Sequence, residues 1–155
     1  MDLTPCRLGP DDPALTEVLT LIQTAFAFMD GRIDPPSSMH RLSLDTVAGH
    51  AATAEIWTIG TPIRACVFLT PKADCLYLGK LAVAADARKT GLARRLIHLA
   101  EERARALNLP RVELQTRVEL AENQAAFVAL GFQEIGRTAH AGYDHPTSIT
   151  FSKQV

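Results

Sequence analysis

The sequence predicts an α/β protein: a mixed sheet of about seven strands flanked by helices, in the order β-α-(α)-β-β-β-α-β-α-β-β. Three observations predict it. Apolar residues recur at helical spacing in two long segments, 15–29 and 92–107. Short β-rich runs between them are punctuated by Gly and Pro. One apolar run, Leu76 to Ala85, feeds into the stronger helix, which returns to another strand; such a unit crosses over right-handed. A length of 155 residues suits one domain, 1–155, with a single sizeable core.

Leu3 to Leu8 reads as the first strand. Asp12-Pro13 signals a helix start, with Asp as N-cap and Pro at the first helical position. Leu15, Val18, Leu19, Ile22, Phe26 and Met29 form its apolar face, and Gly31 to Ser38 breaks the pattern. Ser43 to His50 reads as a short second helix. Glu55 to Ile59 and Ile63 to Thr70 form a hairpin through Gly60-Thr61-Pro62, and Pro71 to Asp74 is a second turn. The strand Leu76 to Ala85 is apolar at nearly every position, which predicts a central strand buried on both faces.

In the next helix Leu92, Leu96, Leu99, Ala100, Ala104 and Leu107 share one face. Arg94, Arg95, His98, Glu101, Glu102 and Arg105 share the other, with Glu101 and Arg105 spaced for an ion pair. Asn108 and Pro110 end it. Arg111 to Arg117 is a strand and Glu122 to Leu130 a short helix. Phe132 to Arg137 and Thr147 to Ser152 close the order as a hairpin with a long loop.

A formal net charge of -1 supplies no global basic field, which argues against nucleic acid or an anionic membrane as partner. No apolar run is long enough to span a bilayer, and no charged leader precedes an apolar core. Cys6, Cys66 and Cys75 are odd in number and lack metal-ligand spacing, so no metal is expected. They read as reduced and packed, as in cytoplasm.

Charge is nevertheless uneven. "ADARKTGLARRL", Ala85 to Leu96, gathers Arg88, Lys89, Arg94 and Arg95 around Gly91, where a strand ends and a helix begins. A helix N-terminus carries unpaired N–H groups and partial positive charge, so it suits an anion. Gly91 lets backbone approach a ligand or take φ > 0. Basic residues at a helix start oppose the macrodipole, a local cost that a binding site would tolerate. A diphosphate is the natural guest. The stretch lacks the Gly-Lys-Ser/Thr ending of a P-loop and the Gly-x-Gly-x-x-Gly dinucleotide fingerprint.

Arg88-Lys89-Thr90-Gly91-Leu92-Ala93 resembles the Arg/Gln-x-x-Gly-x-Gly/Ala signature of the GNAT N-acetyltransferase superfamily. "LGKLAVAADARKTGLARRLI" is similar to that family's strand-loop-helix, and "ENQAAFVALGF", Glu122 to Phe132, to its second motif. The likeness extends over nearly the whole chain. It implies a mostly antiparallel twisted sheet and an acyl-CoA ligand, acetyl-CoA or another short acyl-CoA. The pyrophosphate would lie on backbone amides of Lys89, Thr90, Gly91, Leu92, Ala93 and Arg94, with Arg88 beside them. The backbone of Leu81, Ala82 and Val83 would pair with the pantetheine arm, and an N–H near Leu81 would polarise the thioester carbonyl. Asn123 would contact the pantetheine or cap its own helix. Dimers are common in the family, which admits a homodimer here, but no segment of the sequence predicts one.

The resemblance departs at one position. Many members place a Tyr five residues before the Phe of Leu-Gly-Phe; here it is Phe127, which packs at the cofactor site and supplies no acid. Another residue acts, water acts, or the protein binds acyl-CoA without transfer. Tyr143, in "HAGYDHP", is the replacement expected in catalysis, and His140 titrates in a useful range. His145 and Asp144 read as turn residues. Glu113, on one strand face with Arg111, Gln115 and Arg117, is a second catalytic candidate, for the amine proton, or a strand-face charge paired with an arginine. "FMDGRIDPPSSMHR" carries more chemistry than a connector requires. There Phe28 lies beside Asp30 or Asp34, which suits a cationic amine, and Arg32, which suits a carboxylate; these and Arg117 are the expected acceptor contacts. The function expected is transfer of an acetyl group from acetyl-CoA to a primary amine of a small-molecule acceptor. A non-catalytic acyl-CoA-binding module and an unrelated nucleotide- or phosphate-binding protein are the alternatives.

Overall fold

The computed structural model describes residues 2–155. Its strands are β1 (Cys6–Leu8), β2 (Glu55–Ile59), β3 (Ala65–Pro71), β4 (Leu76–Val83), β5 (Arg111–Arg117), β6 (Gln133–Thr138) and β7 (Ser148–Gln154). Its helices are α1 (Leu15–Phe26), α2 (Leu44–Thr53), α3 (Leu92–Ala106) and α4 (Ala121–Ala129). The strands form one seven-stranded sheet in the order β1-β2-β3-β4-β5-β7-β6. Every pairing is antiparallel except β4 with β5, which α3 connects.

Strand alternation divides the core between the two faces. Ala65, Val67 and Leu69 of β3 pack with Leu92, Leu96 and Ala100 of α3. Cys66 and Phe68 pack on the opposite side with Val18 and Ile22 of α1 and Val47 of α2. The helix α3 forms where its apolar stripe was legible, and α2 starts on a capping box between Ser43 and Thr46.

Several expectations are corrected by longer-range contacts. β1 is confined to Cys6–Leu8 because only these residues pair with β2. Asp12 caps a turn rather than the helix: its carboxylate accepts the Ala14 N–H at 2.9 Å, and α1 starts at Leu15. Glu101 is buried and accepts from Lys153 of β7 at 2.8 Å, so it makes no pair with Arg105; Leu107 is exposed beyond the helix end. β4 is central but not covered throughout, since Gly79, Lys80, Leu81 and Val83 are half-exposed.

Candidate acyl-CoA and acceptor cleft

The half-exposure of β4 has a simple cause. β4 pairs with β5 only from Leu76, Tyr77 and Leu78 to Val112, Glu113 and Leu114. On its other side, Phe68 faces Gly79 while Cys66 faces Ala82, so Lys80 and Leu81 both stand opposite Val67. This extra residue is a β-bulge, and Lys80 takes φ 49° within it. β4 bends there and β5 continues to Arg117 against β7. A cleft of about 1090 Å³ opens between them, lined by residues 78–83 of β4 and 114–117 of β5. Past Leu78, the β4 backbone edge that faced β5 has no strand partner.

The cleft reaches Arg88, just before α3. Gly91 is the N-cap of α3 at φ 87°, and no side chain caps the helix. A Cβ on Gly91 would meet nothing within 4 Å. The first turn therefore offers amides on an open approach. Lys89 also takes positive φ, 62°, and Thr90 donates its hydroxyl to the Ala87 carbonyl, tying the turn together. Leu92 is buried in the core, so its contribution at this end is backbone only.

The Acetyltransferase (GNAT) family profile matches residues 12–132. The chain belongs to the GNAT acetyltransferase family. Among solved structures, an acetyltransferase from Streptococcus agalactiae superposes with a TM-score of 0.74 at 16% identity, covering 97% of this chain and 98% of that one. The ribosomal-protein-S18-alanine N-acetyltransferase from Escherichia coli gives 0.71 at 17% identity, over 97% and 94% of the two chains. The N-acetylglutamate synthase from Neisseria gonorrhoeae, complexed with coenzyme A and N-acetyl-glutamate, gives 0.69 at 16%, over 99% of this chain and 36% of that one. These likenesses establish a GNAT fold. No curated protein matches the chain.

Within this GNAT domain, Leu81, Ala82, Val83, Arg88, Asn123 and Phe127 line the cleft, as do Phe28, Arg32 and Arg117. Phe127 packs edge-on to Phe132, ring centroids 6.0 Å apart, and brings no polar atom. Arg32 bonds Glu122 at 2.8 Å and lies over the Phe28 ring. The residues Lys89, Thr90, Gly91, Ala93 and Arg94 follow Arg88 outside the lining.

Three expected side chains are engaged elsewhere. Glu113 lies outside the cleft and accepts from Arg111 at 2.9 Å, a strand-face ion pair. Asp30 is held by His40 at 2.7 Å and is absent from the lining. Tyr143 also stands outside the lining and donates its hydroxyl to Asp34. That carboxylate, with burial, raises the Tyr143 pKa above the usual phenol value and makes it a poorer acid.

His140 does line the cleft. Thr147 Oγ1 accepts the His140 backbone N–H at 2.9 Å and directs its own proton to the Thr138 carbonyl. Thr147 Oγ1 also lies within hydrogen-bond reach of His140 Nδ1; with the proton on Nδ1, the Nε2 lone pair is open. Burial, and then the charges of Arg117 and Arg41, lower the His140 pKa below the usual imidazole value, which favours the neutral ring.

Lys80, Arg41 and His50 also line the cleft and were missed by sequence reasoning. Gly79-Lys80 inside an apolar strand was the available signal for a bulge. No cysteine lines the cleft, and burial pushes the Cys66 thiol up to about 12, so the cleft holds no thiolate nucleophile. No group of three or more metal-ligating side chains occurs among the described residues, and no helix is long and apolar enough to cross a membrane.

Proposed function

We propose that the protein transfers an acetyl group from acetyl-CoA directly to the primary amine of a small-molecule acceptor. The observation that carries this reading is the parting of β4 from β5 beyond Leu78, which leaves backbone open on a cleft leading towards an uncapped α3. Residues 81–83 accommodate the pantetheine arm as an added strand. The amides of residues 89–94 cradle the pyrophosphate, and Arg88, Lys89 and Arg94 add charge-assisted contacts. Asn123 meets the arm beside Phe127.

Bound acetyl-CoA supplies the thioester whose C–S bond breaks as the amide C–N bond forms. The Leu81 N–H stabilises charge on the carbonyl oxygen, a role typically contributing about 10²–10³ in rate. His140 Nε2 takes the proton released by the amine. The departing CoA thiolate derives from a thiol of pKa about 8.5, so Phe127 can replace Tyr without loss of an essential acid. The three free cysteines fit a reducing compartment such as cytoplasm.

The test pairs binding with turnover. Acetyl-CoA should raise the melting temperature where ATP and NAD do not. Free CoA should then appear only when a suitable amine from a panel is added. Binding without amine-dependent release would favour the non-catalytic module, to which Phe127 also points. Absence of acetyl-CoA binding would overturn both readings.

A further inference from the structure

Cations gather where the cleft meets the connection between α1 and α2. Arg32, Arg41, Lys80 and Arg117 all line it, yet Glu122 is the one carboxylate in the lining, and Arg32 already holds it. Arg41, Lys80 and Arg117 have no ion-pair partner among the described residues. Asp34 and Glu119 act on the Arg117 charge from nearby but form no ion pair with it. Asp34 accepts from Tyr143, and Glu119 accepts the Asp34 backbone N–H at 2.9 Å.

Arg117 is both anchored and incomplete. Its Nη2 donates to the Pro36 carbonyl at 3.1 Å. Its Nη1 is buried with no hydrogen-bond partner. A buried donor on a cation is costly to leave unpaired. Arg117 also lines the cleft, so its uncompensated guanidinium charge favours an anion there. Lys80 Nζ donates to Ser38 and keeps further protons for an anion. Burial, together with the neighbouring Arg41 and Arg117 charges, lowers the Lys80 pKa, the response expected of a cation lacking its counter-ion. Beside these charges, Met29, Ile33 and Leu120 form a separate apolar cluster with Phe26, and all four line the same cleft.

We propose that the acceptor is an amino carboxylate with an apolar side chain, its carboxylate seated on Arg117 between Arg41 and Lys80. This deepens the transferase reading and rests on it. The seat is built from β5, the β4 bulge and the α1–α2 connection, and shares no residue with the 88–94 segment assigned to the diphosphate. Amine, carboxylate and apolar body are then each met by a different part of one cleft.

The deciding experiment is calorimetric, on protein saturated with CoA. The probes are phenylalanine, phenylalaninamide, phenethylamine, O-phosphoethanolamine and spermidine, each titrated into wild type and Arg117→Gln. Phenylalanine should bind at least tenfold more tightly than its amide and than phenethylamine, and Arg117→Gln should erase that difference while leaving CoA affinity unchanged. Equal binding of acid and amide, or preference for O-phosphoethanolamine or spermidine, would overturn the proposal. Turnover with acetyl-CoA is read separately on the same probes: a carboxylate-dependent complex that releases no CoA supports the seat and overturns transfer. If Arg117→Gln fails to fold, Arg41→Gln with Lys80→Gln gives the same comparison.

Discussion

Replacing Gly91 isolates the electrostatics of the α3 entrance from its backbone geometry. Gly91 lies at φ 87°, where an L-residue costs about 1–2 kcal/mol. A Cβ there meets nothing within 4 Å, so no steric term adds to it. Gly91→Ala and Gly91→Glu therefore share one backbone cost, which lowers the melting temperature by roughly 2–8 °C in a chain of this size. They differ in charge. A carboxylate about 5 Å from one phosphate charge costs about 3 kcal/mol at an effective dielectric of about 20. That is roughly a hundredfold in Kd. Calorimetric titration of both variants with CoA should show Gly91→Glu binding at least a hundredfold more weakly than Gly91→Ala, with similar melting temperatures. Equal CoA affinity in the two folded variants would refute the diphosphate site and the donor assignment built on it.

His140→Gln should lower kcat by about 10²–10⁴ while acetyl-CoA affinity is unchanged. The neutral ring is the active form, so wild-type kcat should fall as pH drops through a midpoint below 6.5; an identical acid limb in the variant would exclude His140 as the base. Tyr143→Phe removes only the bond to Asp34, and kcat should fall less than tenfold; a fall as large as that of His140→Gln would restore Tyr143 to the proton path. Glu55 is 5% exposed and accepts two bonds from Arg103, at 2.9 and 2.8 Å, and one from Trp57 at 2.8 Å. Burial pushes its pKa up, but the Arg103 and Trp57 bonds outweigh this and hold it below 4.5. Its stabilisation is therefore complete above about pH 4.5 and lost as pH falls through the lower folded value. Glu55→Gln should cost about 2–3 kcal/mol at pH 7, as Arg103 keeps partial solvent contact, and the gap to wild type in urea melts should close in acid. A gap unchanged at pH 3 would contradict that linkage.

What the amino-acid sequence determined by itself was local in origin. The stripe Leu92, Leu96, Ala100 and Ala104 specifies α3 because helical period depends on neighbours within a few turns. Gly91 marks the turn into α3 because left-handed backbone selects glycine whatever surrounds it. The cluster 88–95, the Leu-Gly-Phe motif and the strand order were legible for the same reason. Only the tertiary structure decided where β4 leaves β5, because a bulge is a mismatch between strands distant in sequence. It also decided which charges are spoken for. Glu113, Asp30 and Tyr143, candidates for the site in sequence, meet Arg111, His40 and Asp34, whereas Arg117, an expected acceptor contact, keeps one buried guanidinium nitrogen without a partner. Partner choice is set by distance in space, and periodicity along the chain carries no record of it.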